Sequence, residues 1–227
     1  MKSSTAIPVD QIELAADICV PERARGLVVF AHGSGSSRHS PRNRHVAEFL
    51  QRSRIGTVLT DLLTPGEEAI DVRTAHLRFD IALLGGRLVG LSDWIARQPE
   101  LQNLALGYFG ASTGAAAALV AAAERPHLIQ AVVSRGGRPD LAGASLGNVS
   151  APTLFIVGGD DQIVLDLNRL AIAQLPRSTE RKLEIVAGAT HLFEEPGKLD
   201  LVAALAAEWF VRFLSGASRA YKNDGGA

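Results

Sequence analysis

The chain has 227 residues, a formal net charge of −1, 47% hydrophobic residues and one cysteine, Cys19. That length suits a single domain that buries enough surface to need no staples, and a lone cysteine excludes an intramolecular disulfide, in keeping with a reducing, cytoplasmic setting. The balanced charge argues against nucleic acid as the main partner, Met1 to Gln11 has no apolar run of the signal-peptide kind, and no apolar stretch approaches the roughly 20 residues of a membrane span.

Ile7 to Val20 reads as two short strands or a hairpin, with Ile12, Leu14, Ile18 and Val20 at even spacing. Gly26 to Ala31 is a continuous apolar run, as expected of a parallel strand buried on both faces. It ends in His32-Gly33-Ser34-Gly35-Ser36-Ser37, and Ser40-Pro41 then supplies an N-cap and first-turn proline for a helix to about Arg52. Ile55 to Leu59 is a strand, and Ile70 to Arg97 is a long helical pattern with a possible break at Gly85-Gly86. Leu104 to Phe109, Ile129 to Ser134, Pro152 to Val157 and Leu183 to Ala187 read as further strands. Helices follow over Ala115 to Val120, Ile163 to Leu175 and Leu199 to Leu214. This alternation predicts an α/β domain over residues 1–215, a mostly parallel sheet with helices on both faces. The tail from Gly216 to Ala227 is small and polar and is expected to fray.

Polar and glycine-rich residues gather after the strands, at the sheet edge where open α/β folds bind ligands. Gly110-Ala111-Ser112-Thr113-Gly114 is the most specific of these stretches. A serine in G-x-S-x-G between a strand and a helix is the nucleophile-elbow pattern. The turn holds the serine in strained backbone, and the glycines leave room where a Cβ would collide. The plain alternative is a glycine-rich turn without chemistry.

A serine hydroxyl is a weak nucleophile that needs a base, and the base needs an orienting acid. Only His127 and His191 follow Ser112. His127 precedes a strand and belongs at the opposite edge, whereas His191 follows the last strand. Acids follow the next two strands, Asp140 after Ser134 and Asp160-Asp161 after Val157; Asp161 is the first choice and Asp160 the fallback. Either could instead cap the next helix. His191 would take the Ser112 proton while Asp161 fixes its tautomer. The N–H of Thr113 and the N–H of Ser34 are the expected oxyanion donors. His32 is expected to brace that loop; His39, His45 and His76 lack a strand-end position.

Arg38, Arg42 and Arg44 lie in or just after the same loop, and Arg42 and Arg44 enter the first helical turn, where the helix dipole disfavours cations. Arg135 and Arg138 follow another strand and should reach the same edge. Pairing with Asp140, Glu48 or Glu194, or simple solvation, would account for them. The functional alternative is that Arg38, Arg42, Arg135 and Arg138 bind an anionic group of a small-molecule substrate.

Together His32-Gly33, the Ser112 elbow, Gly159-Asp160-Asp161 and Gly188-Ala189-Thr190-His191 resemble the α/β-hydrolase fold, in its order of motifs. Within it the chain resembles the dienelactone hydrolase family. Val29 to Gly35 and Thr190 to Glu194 are also similar to hydrolase domains fused to phosphoribosyltransferases in some bacteria. The resemblance implies a hydrolase of small esters, thioesters or lactones. One departure is that dienelactone hydrolases typically carry cysteine as nucleophile, where this chain has Ser112, so the family name does not bring its substrate with it. The short stretch Gly136 to Ala151 leaves no room for a cap domain, so an open, shallow site is expected. No metal-ligand spacing, P-loop or dinucleotide fingerprint occurs, so no cofactor or metal is implied. A non-catalytic binding module on this fold is the competing class, and a peptidase or perhydrolase-like activity would use the same residues.

Overall fold

The computed structural model describes residues 1–214, and the strands among them join one eight-stranded sheet. The expected tail at Gly216–Ala227 lies outside the described residues. In chain order the strands are β1 (Lys2–Val9), β2 (Ile12–Cys19), β3 (Gly26–Ala31), β4 (Ile55–Thr60), β5 (Ala105–Ala111), β6 (Ile129–Arg135), β7 (Thr153–Gly158) and β8 (Arg181–Val186). The helices are α1 (Pro41–Arg52), α2 (Pro65–Thr74), α3 (Ile81–Ile95), α4 (Thr113–Glu124), α5 (Gln162–Gln174) and α6 (Lys198–Leu214).

The sheet order is β1-β2-β4-β3-β5-β6-β7-β8. The hairpin β1–β2 and the β2–β4 pair are antiparallel; the remaining neighbours are parallel. The hairpin is longer than the apolar alternation suggests. Main-chain pairing runs from Val9↔Ile12 out to Lys2↔Cys19, but residues 2–6 are exposed and carry no periodic signal. β3, β4 and β7 are buried along their whole length, as their apolar runs require. β8 is an edge strand, and its Arg181, Lys182 and Glu184 discourage further pairing.

α1 and α6 cover one face of the sheet, over a core that includes Phe30, Phe109, Val133, Ile156 and Phe210. α3, α4 and α5 cover the other, over Val29, Tyr108, Val132 and Phe155. α4 is rich in alanine, and Ala115 to Ala118 are fully buried. Its small side chains let it lie between α3 and the 3-10 segment Pro139–Asn148.

The expected break at Gly85-Gly86 is corrected by the structure. Both glycines lie inside α3, and the interruption falls between Thr74 and Ile81. Ala75 takes the left-handed conformation (φ 53°). The buried Asp71 carboxylate then accepts the N–H groups of Leu77 and Arg78 and the Arg78 Nε, and Asp80 caps α3 through Leu83 N–H. Gly85 has a packing reason instead: an added Cβ would come within 2.9 Å of Val120 on α4. Among the described residues no helix is long and apolar enough to cross a membrane.

Candidate active site

Ser112 sits between β5 and α4 with φ 50° and ψ −121°, a strained conformation for a residue with a Cβ. Neighbouring main chain holds it there. Ser112 N–H donates to the Arg135 carbonyl (3.3 Å), and its own carbonyl accepts from Arg138 N–H (3.0 Å) and Ala115 N–H (3.1 Å). The motif glycines answer to space. A Cβ on Gly110 would lie 2.4 Å from Ala115 Cα, and one on Gly114 2.2 Å from the Ala31 carbonyl oxygen. Ser112 occupies the N-cap of α4, yet its side chain makes no capping bond, so the hydroxyl is free at the positive end of the helix.

His191 and Asp161 arrive from the loops after β8 and β7. His191 Nδ1 donates to Asp161 Oδ2 over 2.6 Å, with side-chain exposures of 38% and 16%. Asp161 caps α5 by position but makes no side-chain capping bond, so its carboxylate is given to the histidine. Asp160 is exposed. The two loops are tied together. Asp160 N–H donates to the Ala189 carbonyl (3.0 Å), and Thr190 donates through N–H and hydroxyl to Glu195 Oε1. Those bonds from Thr190 hold the Glu195 carboxyl below the usual carboxylate range.

Gly136, at φ 52°, packs under the histidine, and a Cβ there would stand 3.1 Å from the His191 carbonyl oxygen and 3.5 Å from its Nδ1. The Arg135–Gly136 main chain thus touches both Ser112 and His191. Among the described residues no hydrogen bond joins Ser112 Oγ to the imidazole. Such contacts commonly form only once a substrate is bound.

The β3 loop lies against the elbow; a Cβ on Gly33 would be 3.1 Å from Ser112 Cβ. His32 is buried and bridges two strands' loops. Leu62 N–H donates to its Nε2 (3.1 Å), so the proton is on Nδ1, which donates to the Gly33 carbonyl (3.0 Å). Burial pushes the His32 pKa down from 6.5 and keeps the ring neutral. The peptide is planar and trans, so fixing the Gly33 carbonyl also aims the Ser34 N–H. Neither Ser34 N–H nor Thr113 N–H has a partner within the described chain.

The arginines divide into two groups. Arg38 pairs with Asp61, and Arg138 is bidentate on Asp140 (2.9 and 2.7 Å), which raises its pKa. Arg44 reaches Asp17 (3.2 Å) and His39 Nδ1 (2.9 Å). Arg42 holds Glu194 through Nη1 (2.7 Å) but leaves a buried Nε unpartnered. Arg135 is only 7% exposed, and among the described residues it has no ion pair or side-chain hydrogen bond. Among the described residues, His127, His39, His45 and His76 make no hydrogen bond to Ser112, His191 or Asp161.

Sequence reasoning gave no role to Asp61, Asp71, Gly136 or Phe193. Gly136 was findable as a glycine straight after a strand; the others depend on contacts distant in sequence. A cleft of about 560 Å³ lies between the β1–β2 hairpin and α1, away from Ser112 and His191. No three His, Cys, Asp or Glu side chains among the described residues converge as metal ligands.

A model of the dienelactone hydrolase family matches residues 51–215. The chain is 58% identical over 205 residues to a Mycobacterium tuberculosis protein named as a phosphoribosyl transferase, a match that covers 90% of this chain and 45% of that protein. The chain therefore spans about half the length of the curated relatives it matches. The crystal structure of a dienelactone hydrolase from Anabaena variabilis is 56% identical, with a TM-score of 0.91 over 94% of this chain and 98% of that one. A serine hydrolase from Xanthomonas campestris, described as lacking a lid, is 21% identical with a TM-score of 0.74, covering 95% and 96% of the two chains. These matches establish the α/β-hydrolase fold.

Proposed function

The chain belongs to the dienelactone hydrolase family, and on that footing we propose that it is a serine hydrolase of small esters, thioesters or lactones, working through an acyl-enzyme. The reading rests on one observation. A strained serine with a free hydroxyl shares a sheet edge with a histidine that donates to a half-buried aspartate over 2.6 Å.

In this reading His191 Nε2 accepts the Ser112 proton as Oγ attacks the acyl carbon. The tetrahedral oxyanion is met by the N–H groups of Thr113 and Ser34, donors already turned away from internal partners. His191 then gives the proton to the leaving oxygen or sulfur, and water repeats the sequence on the acyl-enzyme. Asp161 keeps the imidazole proton on Nδ1 and stabilises the imidazolium. No metal or organic cofactor takes part, and the lone Cys19 suits a cytoplasmic setting. The dienelactone of the family name is not assumed, because Ser112 stands where dienelactone hydrolases typically carry cysteine.

A fluorophosphonate probe tests the reading. Labelling at Ser112, lost in Ser112→Ala together with hydrolysis of 4-nitrophenyl acetate, is the expected result. A Ser112→Ala protein that hydrolyses like wild type would sink it; a protein inert to the probe would favour a binding module.

A further inference from the structure

The stripe of α5 that faces the core is Val164, Leu165, Asn168 and Ala171, at the three- and four-residue spacing of a buried helix face. Asn168 is the polar member of that stripe, and it is fully buried. Asparagine is a poor residue for a helix interior, so packing alone does not call for it. Its side-chain amide donates to the Val164 carbonyl one turn back (2.7 Å) and to the Gly137 carbonyl in the loop after β6 (2.9 Å). A flipped amide would set its oxygen against both carbonyls, so the bonds themselves assign the nitrogen. The amide oxygen is buried and has no partner among the described residues, which costs stability at a plain core position.

The carbonyl that Asn168 holds belongs to the peptide whose N–H, that of Arg138, donates to the Ser112 carbonyl at 3.0 Å. The peptide is planar, so fixing the Gly137 carbonyl aims the Arg138 N–H at the serine. The loop is tightly confined. Gly136 N–H donates to the Ile156 carbonyl on β7 (2.8 Å), and a Cβ on the buried Gly137 would stand 2.0 Å from Ser134 Oγ and 2.7 Å from Ala115 Cβ. With an apolar side chain in place of Asn168, the Gly137 carbonyl would be a buried acceptor without that donor, and the loop would have to shift to relieve it. α5 has Asp161 as its N-cap residue, so the helix that begins at the partner of His191 also holds the support of Ser112.

We infer that Asn168 is a positioning residue for Ser112, holding the serine in its strained conformation through the Gly137–Arg138 peptide. It touches no reacting atom. The consequence for turnover rests on the hydrolase reading, whereas the clamp itself is open to measurement without turnover.

The Arg138 amide reports the clamp directly. Its hydrogen exchange, followed by NMR, is expected to quicken about 3–10-fold in Asn168→Leu and in Asn168→Asp, the worth of one hydrogen bond. Asn168→Asp keeps the shape of the side chain and removes both N–H donors. Turnover of 4-nitrophenyl acetate is measured on the same proteins. kcat falls about 10–100-fold, the scale of a small misplacement of a reacting group, and KM stays close to that of wild type. Ser92→Ala is the control. It removes a buried hydrogen bond between α3 and Tyr108 (2.6 Å), away from the site, so it costs stability but leaves Arg138 exchange and kcat as they were. Should Asn168→Leu fail to fold, Asn168→Asp carries both measurements. Arg138 exchange unchanged in the folded variants, or faster exchange with kcat unchanged, overturns the positioning role while the hydrolase reading stands. Faster exchange in the variants of a protein whose wild type hydrolyses no ester upholds the clamp and removes the hydrolase reading.

Discussion

The imidazole of His191 donates through Nδ1 to Asp161 at 2.6 Å, whereas the adjacent Asp160 is exposed and meets the histidine loop only through its main-chain N–H. The two aspartates should therefore differ sharply in function. Asp161→Asn is expected to lower kcat by about 10⁴, because the histidine loses the charged partner that sets its tautomer. Asp160→Asn should stay within a few-fold of wild type. Steady-state kinetics on one activated ester ranks them, and the reverse order would reassign the acid.

Ser112 and His191 act as a unit in this mechanism, so their losses should not add. Ser112→Ala and His191→Ala are each expected to remove nearly all turnover, with the double variant little worse than either. Rates multiplying down in the double variant would mean that the two residues work independently.

His32 braces the loop that carries Ser34, which the proposed mechanism uses for the oxyanion, through Gly33 and Leu62. His32→Ala should lower kcat about 10–100-fold, less than the loss of a whole oxyanion donor, with KM little changed. His32→Gln, which can still accept from Leu62 and donate to Gly33, should recover part of it. The histidine also contributes a pH dependence. Its folded pKa lies below the 6.5 of the free side chain. Its share of stability is complete above pH 6.5 and is lost as pH falls below that value, where the unfolded chain takes up a proton first. Melting curves from pH 8 to 5 should show a steeper decline for wild type than for His32→Gln.

Glu67 clamps the start of α2 to α3. Its carboxylate accepts from Thr64 N–H and from both terminal nitrogens of Arg87, and these bonds hold its pKa at about 2. A lowered acid stabilises above its unfolded pKa near 4.5 and loses that share as pH falls towards 2. Glu67→Gln is expected to cost about 1–2 kcal/mol at pH 7, roughly 2–8 °C in melting temperature for a domain of this size. The two proteins should converge near pH 2. A constant difference across that range would show that charge is not the cause.

Two neighbouring glycines in α3 should respond oppositely to alanine. At Gly85 the new Cβ would meet Val120 at 2.9 Å, so Gly85→Ala is expected to cost about 1–3 kcal/mol through overpacking. Gly86 has nothing within 4 Å, and Gly86→Ala should stabilise the helix by about 0.5–1 kcal/mol. Urea unfolding of the two variants decides the sign of each.

From the sequence alone, the parallel architecture could be read, together with the strand ends that carry Ser112, Asp161 and His191. Buried parallel strands show as apolar runs in β3, β5 and β7, and Ser112, the aspartate pair and His191 each lie in the turn or loop after a strand. Such signals are local, because strand, turn and cap are written in adjacent residues. The position of the interruption between α2 and α3 was not legible, since Gly85-Gly86 looks like a break until Val120 is seen packed against Gly85. The choice between Asp160 and Asp161 as the partner of His191, and the sorting of the arginines, depended on tertiary structure for the same reason. Arg38 finds Asp61 across another loop, while Arg135 ends beneath Phe193 with no partner among the described residues. A charge is a property of one residue, but its pairing is set by whichever distant segments the fold brings beside it.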